Sequence, residues 1–208
     1  MMIELKDLTK EYKDQIVLDR VNYIFEEGHV YGLVGENGSG KTVLLKTIAG
    51  LYDLTEGEIL VQGQPKKKGH FLPSVGMVGD AIGFVPYMTA RENLYELSRI
   101  QKKIGLEEID KMLEFVGLSN YPNKAVRKYS LGMKQKLCIA QAFMEEPKVL
   151  LLDEPFNALD AKSATKMKQY FKEYAKEHQA IMIVTSHHAE ELDDLCDTMI
   201  HIQDGRIE

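Results

Sequence analysis

Eight residues, Gly35-Glu36-Asn37-Gly38-Ser39-Gly40-Lys41-Thr42, constrain this chain more than any other stretch. They satisfy G-x-x-x-x-G-K-[ST], the pattern of a loop that wraps phosphate. The loop follows an apolar run, Val30-Tyr31-Gly32-Leu33-Val34, and precedes Val43, Leu44, Leu45, Ile48 and Leu51 at helical spacing until Gly50. Strand, glycine loop and helix in that order predict an α/β fold. Gly35, Asn37, Gly38, Ser39 and Gly40 let the backbone curl until several N–H groups aim at one anion. The helix N-terminus adds roughly half a positive charge. Lys41 then reaches the β and γ phosphates, and Thr42 supplies a hydroxyl for Mg²⁺.

Length limits what surrounds this loop. With 208 residues the chain fits one domain, or one domain with an inserted subdomain. The net charge of -6 argues against coating a nucleic-acid backbone, which needs clustered positive charge, so no nucleic acid is expected as a partner. The apolar run beside the carboxylates described below, Val149 to Leu152, is far shorter than the ~20 residues of a spanning helix. Met1 to Lys6 shows no basic stretch followed by an apolar one, so no signal peptide is readable. Cys138 and Cys196 lie far apart, in apolar segments without metal-ligand spacing, and are expected to be inert reduced thiols of a cytosolic protein.

The rest of the chain divides by pattern. Residues 2 to 34 alternate polar and apolar in short stretches with a Glu27-Gly28 turn, which predicts β-rich structure. Lys66-Lys67-Lys68 reads as a solvated turn. Residues of about 86 to 146 read as mostly helical: Thr89 and Glu92 form a capping box, a second helix runs from about Glu107 to Val116, and Met133, Leu137, Ala140 and Met144 share a face of a third that Pro147 stops. Val149-Leu150-Leu151-Leu152 and Ile181-Met182-Ile183-Val184 are continuous apolar runs, the pattern of strands covered on both faces in a parallel sheet.

Directly after the first of those runs come Asp153 and Glu154. The carboxyl end of a buried strand is where ligands of open α/β sheets bind. Asp153 suits the metal, and Glu154 suits the attacking water as general base, work typically contributing 10² to 10⁴-fold.

Together these residues resemble the ATPase subunit of an ATP-binding cassette (ABC) transporter, over nearly the whole chain. The family signature, usually Leu-Ser-Gly-Gly-Gln, would here be Tyr129-Ser130-Leu131-Gly132-Met133, followed by Lys134-Gln135. Ser130 and Gly132 are retained; Leu131 and Met133 depart, a variant familiar in cassettes resembling those of antimicrobial-peptide export and immunity systems. The resemblance implies a P-loop ABC-ATPase fold. Its core would be a mostly parallel sheet flanked by helices, carrying an N-terminal antiparallel β subdomain and the inserted helical subdomain, all within one nucleotide-binding domain.

It also implies ATP and Mg²⁺ as cofactors, with each ATP gripped between one subunit's P-loop and the signature helix of another. The ATP-bound unit would be a homodimer, or a heterodimer with a similar cassette. Tyr12 resembles the aromatic that stacks on adenine, and Asn157-Ala158-Leu159-Asp160 the loop that crosses the dimer interface. His187 resembles the switch histidine at the γ-phosphate, with His188 a surface neighbour. Asp80 falls where the family usually has a metal-contacting Gln, and its carboxylate could bind the metal directly or through water. Phe84, Pro86, Tyr87 and Met88 read either as core packing or as a docking groove for a membrane subunit. The expected partner is a permease on a separate chain, which would hold this one at the cytoplasmic face of the membrane and transport, in the export direction, an amphiphile such as a peptide antibiotic. The alternative is a soluble ABC-type ATPase of DNA maintenance or translation. The stretch from Thr42 to Ser130 is too short for the coiled-coil insertion of the first kind, and one P-loop is fewer than the two cassettes usual in the second. A regulatory pseudo-ATPase is disfavoured by the presence of Lys41, Asp153, Glu154 and His187 together.

Overall fold

Val30–Val34 (β3), Val149–Leu152 (β7) and Ile181–Ser186 (β8) are buried at every position in a computed structural model, which describes residues 1–13, 15–79 and 83–208. They lie side by side in a six-stranded sheet with Val75–Val78 (β6), Thr198–Gln203 (β9) and Arg206–Ile207 (β10), in the order β10-β9-β3-β8-β7-β6. All neighbours pair in parallel except β10, which turns back along β9. The predicted mostly parallel core is observed. Its register brings the carboxyl ends to one edge: Val34 faces Ser186, Leu152 faces Val184, and Val78 faces Leu152.

Strand alternation sorts the core into two faces. Val34, Leu150, Leu152, Met182 and Val184 enter one cluster, and Leu33, Val149, Leu151, Ile181 and Ile183 enter the other. The second face is covered by Lys41–Ala49 (α1), through Leu44, Leu45 and Ile48, and by a four-stranded antiparallel sheet. That sheet is ordered β2-β1-β4-β5 from Met2–Tyr12 (β1), Gln15–Glu26 (β2), Glu56–Val61 (β4) and Gln64–Pro65 (β5). The first face shares its apolar cluster with residues of Ala90–Gln101 (α2), Leu106–Phe115 (α3), Leu131–Phe143 (α4) and Ala161–Glu177 (α5). Each Leu or Ile enclosed this way is worth ~1.5–3 kcal/mol. Covering both faces is what allows the central strands to be apolar throughout.

The capping box is present: Glu92 N–H donates to Thr89 Oγ1 at 3.2 Å and Thr89 N–H to Glu92 Oε2 at 2.7 Å. Gly50 closes α1 with φ 87°. Helix α4 ends at Phe143, four residues ahead of Pro147, which has no N–H for that carbonyl, and Glu146 turns the chain at φ 50°. Two details differ from the sequence reading. Leu51 lies beyond Gly50, off the helical face, and is 45% exposed. Phe84 packs half-buried on the core, but Tyr87 is 75% exposed with Arg127 5.0 Å over its ring, so residues 84 to 88 are not one compact cluster. Helix α5 had no sequence assignment; Met167, Phe171, Tyr174 and Ala175 form its buried stripe. Among the described residues no helix is long and apolar enough to cross a membrane. Neither cysteine is in a disulfide, and burial pushes the Cys196 thiol up to about 12.

Candidate active site

The turn after β3 is a tight wrap held by its own backbone. Ser39 N–H donates to Glu36 O at 3.2 Å, and Gly40 takes φ 109°, a conformation that needs glycine. Lys41 is 7% exposed, and its ammonium donates to the carbonyls of Gly35 at 2.5 Å and Glu36 at 3.0 Å. The cation is thereby fixed at the mouth of the loop by groups that carry no charge of their own.

Beside it opens a cleft of about 400 Å³. Asn37, Gly38, Gly40, Lys41 and Thr42 form one wall, and Asp153, Glu154 and Asn157 the other. Gly35 and Ser39 line a recess on the far side of the loop with His201 and Ile202. Ser39 Oγ is buried without a hydrogen-bond partner among the described residues.

The two walls are joined through a carboxylate. Thr42 Oγ1 donates to Asp153 Oδ2 at 2.7 Å, across 111 residues of sequence. Thr185 Oγ1 donates to Asp153 Oδ1, also at 2.7 Å, and accepts from Glu154 N–H at 3.0 Å. Thr185 is fully buried at the end of β8, so this hydroxyl satisfies both carboxylate residues at once. No motif points to it. Its one sequence signal is a polar residue ending an apolar strand, two positions before His187.

Glu154 has φ 47°, unusual for a residue with a side chain. The turn brings its carboxylate to His187, whose Nδ1 lies 3.1 Å from Oε1 and 3.2 Å from Oε2. Just behind the histidine, Ser186 Oγ donates to Glu191 Oε2 at 2.7 Å and accepts from His188 N–H at 3.0 Å, bracing the loop. His188 is exposed beside His187, their rings 4.0 Å apart.

Among the described residues, those lining the cleft do not include Tyr12, Ser130 or Gly132. Tyr12 stands at the end of β1, edge-on to Tyr52 at 6.1 Å and under Lys10 at 4.6 Å. Ser130 caps α4, its Oγ accepting from Met133 N–H at 3.3 Å, so that this amide of the helix start is already taken. Leu131 next to it is 72% exposed. Gly132 sits against the chain after the carboxylates, where a Cβ would come within 2.6 Å of Ala158 O. Asp160, at the end of that segment, caps α5; bonds from Ser163 and the nearby Lys136 hold its carboxyl below the usual range. Asp80 lies outside the described residues.

A glycine loop around a buried ammonium, two hard oxygen donors and a carboxylate paired to a histidine together suit hydrolysis of a phosphoanhydride. Comparison with known proteins agrees. A model of the family "ABC transporter" matches residues 18–157. An uncharacterised ABC transporter ATP-binding protein of Bacillus subtilis (strain 168), YybJ, is 43% identical over 208 residues, 100% of this chain and 95% of that one. The bacitracin transport ATP-binding protein BcrA of Bacillus licheniformis is 37% identical, with 99% of this chain and 68% of that protein covered. Among solved structures, a dimeric cassette of a bacterial ABC transporter superposes with TM-score 0.89 at 28% identity, covering 99% of this chain and 96% of that one. A post-hydrolysis state of that cassette, bound to ADP and Pi, gives 0.88 at 27% identity, with the same shares covered.

Proposed function

This chain belongs to the ABC transporter family as an ATP-binding subunit that hydrolyses ATP, and from that premise we propose how its residues divide the work. Lys41 and the amides of Gly38 and Gly40 bind the β and γ phosphates. Glu154 orients and deprotonates the attacking water, and His187 positions the γ-phosphate. The observation that carries this reading is the Glu154–His187 contact at the cleft edge, which puts the base and the phosphate sensor within one hydrogen bond of each other. Substrate phosphate exchanges that contact for its own. Tyr12 supports the adenine from the end of β1.

The donor set fits Mg²⁺: a hydroxyl and a carboxylate oxygen, both hard, already converge at 2.7 Å. Thr42 and Asp153 would hold the ion, and when bound it would neutralise charge on the phosphates. Two copies close over two nucleotides, Ser130 and Gly132 of each reaching the other's ATP. Loss of the γ-phosphate removes the differential affinity that favours the closed form. The whole chain is one nucleotide-binding domain, with residues 86–146 as its helical subdomain.

The motion is delivered to a permease on a separate chain, which keeps this subunit at the cytoplasmic face of the membrane. Exposed Val85 and Tyr87 offer that partner an apolar edge. The likeness to a bacitracin transport protein, together with the Ser130-to-Gln135 variant, favours export of an amphiphilic peptide. Glu154→Gln tests the core of the proposal. Turnover should fall at least ~100-fold while ATP binding persists and the dimer accumulates; turnover equal to wild type removes Glu154 as base. Purification from native membranes should bring a polytopic permease with it.

A further inference from the structure

Gln135 occupies the second turn of α4, five positions after Ser130, and its side chain leaves the helix to bind the turn of the catalytic carboxylate. Its amide nitrogen donates to Pro155 O at 2.9 Å and to Glu154 O at 3.3 Å. The backbone of Glu154 is therefore clamped on both sides, its N–H by Thr185 and its carbonyl by Gln135. Such a clamp matters because Glu154 sits at φ 47°, and a non-glycine residue keeps that conformation only where its surroundings over-determine it. Two further contacts join the same helix to the same segment. Gly132 packs against Ala158 O, and Lys136 Nζ stands 3.7 Å from Asp160 Oδ2. That ion pair is loose, with the Asp160 side chain 65% exposed, so it holds the segment weakly. Gln135 makes the tie nearest the chemistry.

We propose that Gln135 is a positioning residue that makes the alignment of Glu154 depend on what the first turn of α4 is holding. The inference rests on the reading above, in which Ser130 meets the nucleotide of the partner subunit while Glu154 serves the nucleotide of its own. Ser130 and Gln135 lie on one rigid helix, about 7.5 Å apart along its axis at 1.5 Å per residue. A helix start that shifts to grip phosphate must carry the Gln135 amide with it. The amide moves the Glu154 carbonyl, and the carboxylate on that residue follows. Each site of the dimer is thereby readied by nucleotide in the other, through a side chain that touches neither.

Gln135→Met keeps the length and removes both donors; Gln135→Lys restores a donor. Both are to be compared with wild type and Glu154→Gln, as full chains, in steady-state ATPase assays over a range of ATP and in equilibrium ATP binding at dilute protein. The expected result for Gln135→Met is a kcat about tenfold lower, a Hill coefficient falling from about two toward one, and unchanged ATP affinity. Gln135→Lys should recover most of both kinetic values. Wild-type kcat and Hill coefficient in Gln135→Met overturn the inference, as does a fall in kcat with the Hill coefficient unchanged and no recovery in Gln135→Lys. A Hill coefficient of one in the wild type also overturns it. These outcomes leave the assignment of Glu154 intact, whereas undiminished turnover in Glu154→Gln removes that assignment and the inference with it.

Discussion

Thr185 shows how much a single hydroxyl can organise. It has one proton, given to Asp153, and a lone pair that takes the N–H of Glu154, so the two carboxylate residues share one anchor. Thr185→Val preserves shape but leaves a buried amide unpaired and Asp153 held only from Thr42, at a cost of roughly 1–3 kcal/mol. Turnover should drop about 10 to 100-fold with the melting temperature lowered, and Thr185→Ser should restore most of the activity. A Thr185→Val enzyme with wild-type kcat would remove that anchor from the mechanism. Asp153 and Glu154 are legible in the sequence because a carboxylate pair behind four apolar residues has few other uses. Thr185 is not, since its partners stand 31 and 32 residues away and only the pairing of β7 with β8 brings them together.

Among the elements, helix starts are the best predicted. The Thr89–Glu92 box was legible because both halves lie within one turn, and its contacts are local. Thr89→Ala should cost about 1 kcal/mol of stability, read as a lower denaturation midpoint with little change in ATP affinity; an unchanged midpoint would mean that the packing of Leu94 alone sets the helix. Helix α4 is a different case. Ser130 marks its start in the sequence, but its tight fit against the chain after Glu154 depends on Gly132, where any side chain would press on Ala158 O. Its end at Phe143 is legible too, because Pro147, four residues on, has no N–H for that carbonyl, and Glu146 turns the chain away at φ 50°. Helix α5 carries an amphipathic pattern of its own, with Met167, Tyr170, Phe171, Tyr174 and Ala175 at helical spacing and its lysines outside that stripe. Its buried face is largely aromatic, with Phe171 stacked on Phe143 at 4.9 Å and the Tyr174 hydroxyl donating to Pro147 O at 2.9 Å.

At the scale of the whole molecule, the parallel sheet is the device that gathers the site. Its edge collects the ends of β3, β7 and β8, so that Lys41, Asp153, Glu154 and His187 meet although they span most of the chain. Because the cleft exists only in the folded chain, nucleotide bound there should stabilise the fold by linkage. At ATP 100-fold above its Kd, with Mg²⁺, the gain is about 2.7 kcal/mol, and chelating Mg²⁺ should reverse most of it. In Glu154→Gln the ATP-bound melting midpoint should also rise with protein concentration, as a dimer requires; a midpoint independent of concentration would argue against closure between two copies. The phosphate loop, the carboxylate pair and the strands that carry them are each written in neighbouring residues, whose backbone geometry and burial follow from their own side chains. Which side chains brace those groups follows from the packing of the folded chain. Thr185 and Gln135 act across separate elements, and hydrogen bonds between distant residues are set by how strands and helices pack, which no local pattern encodes.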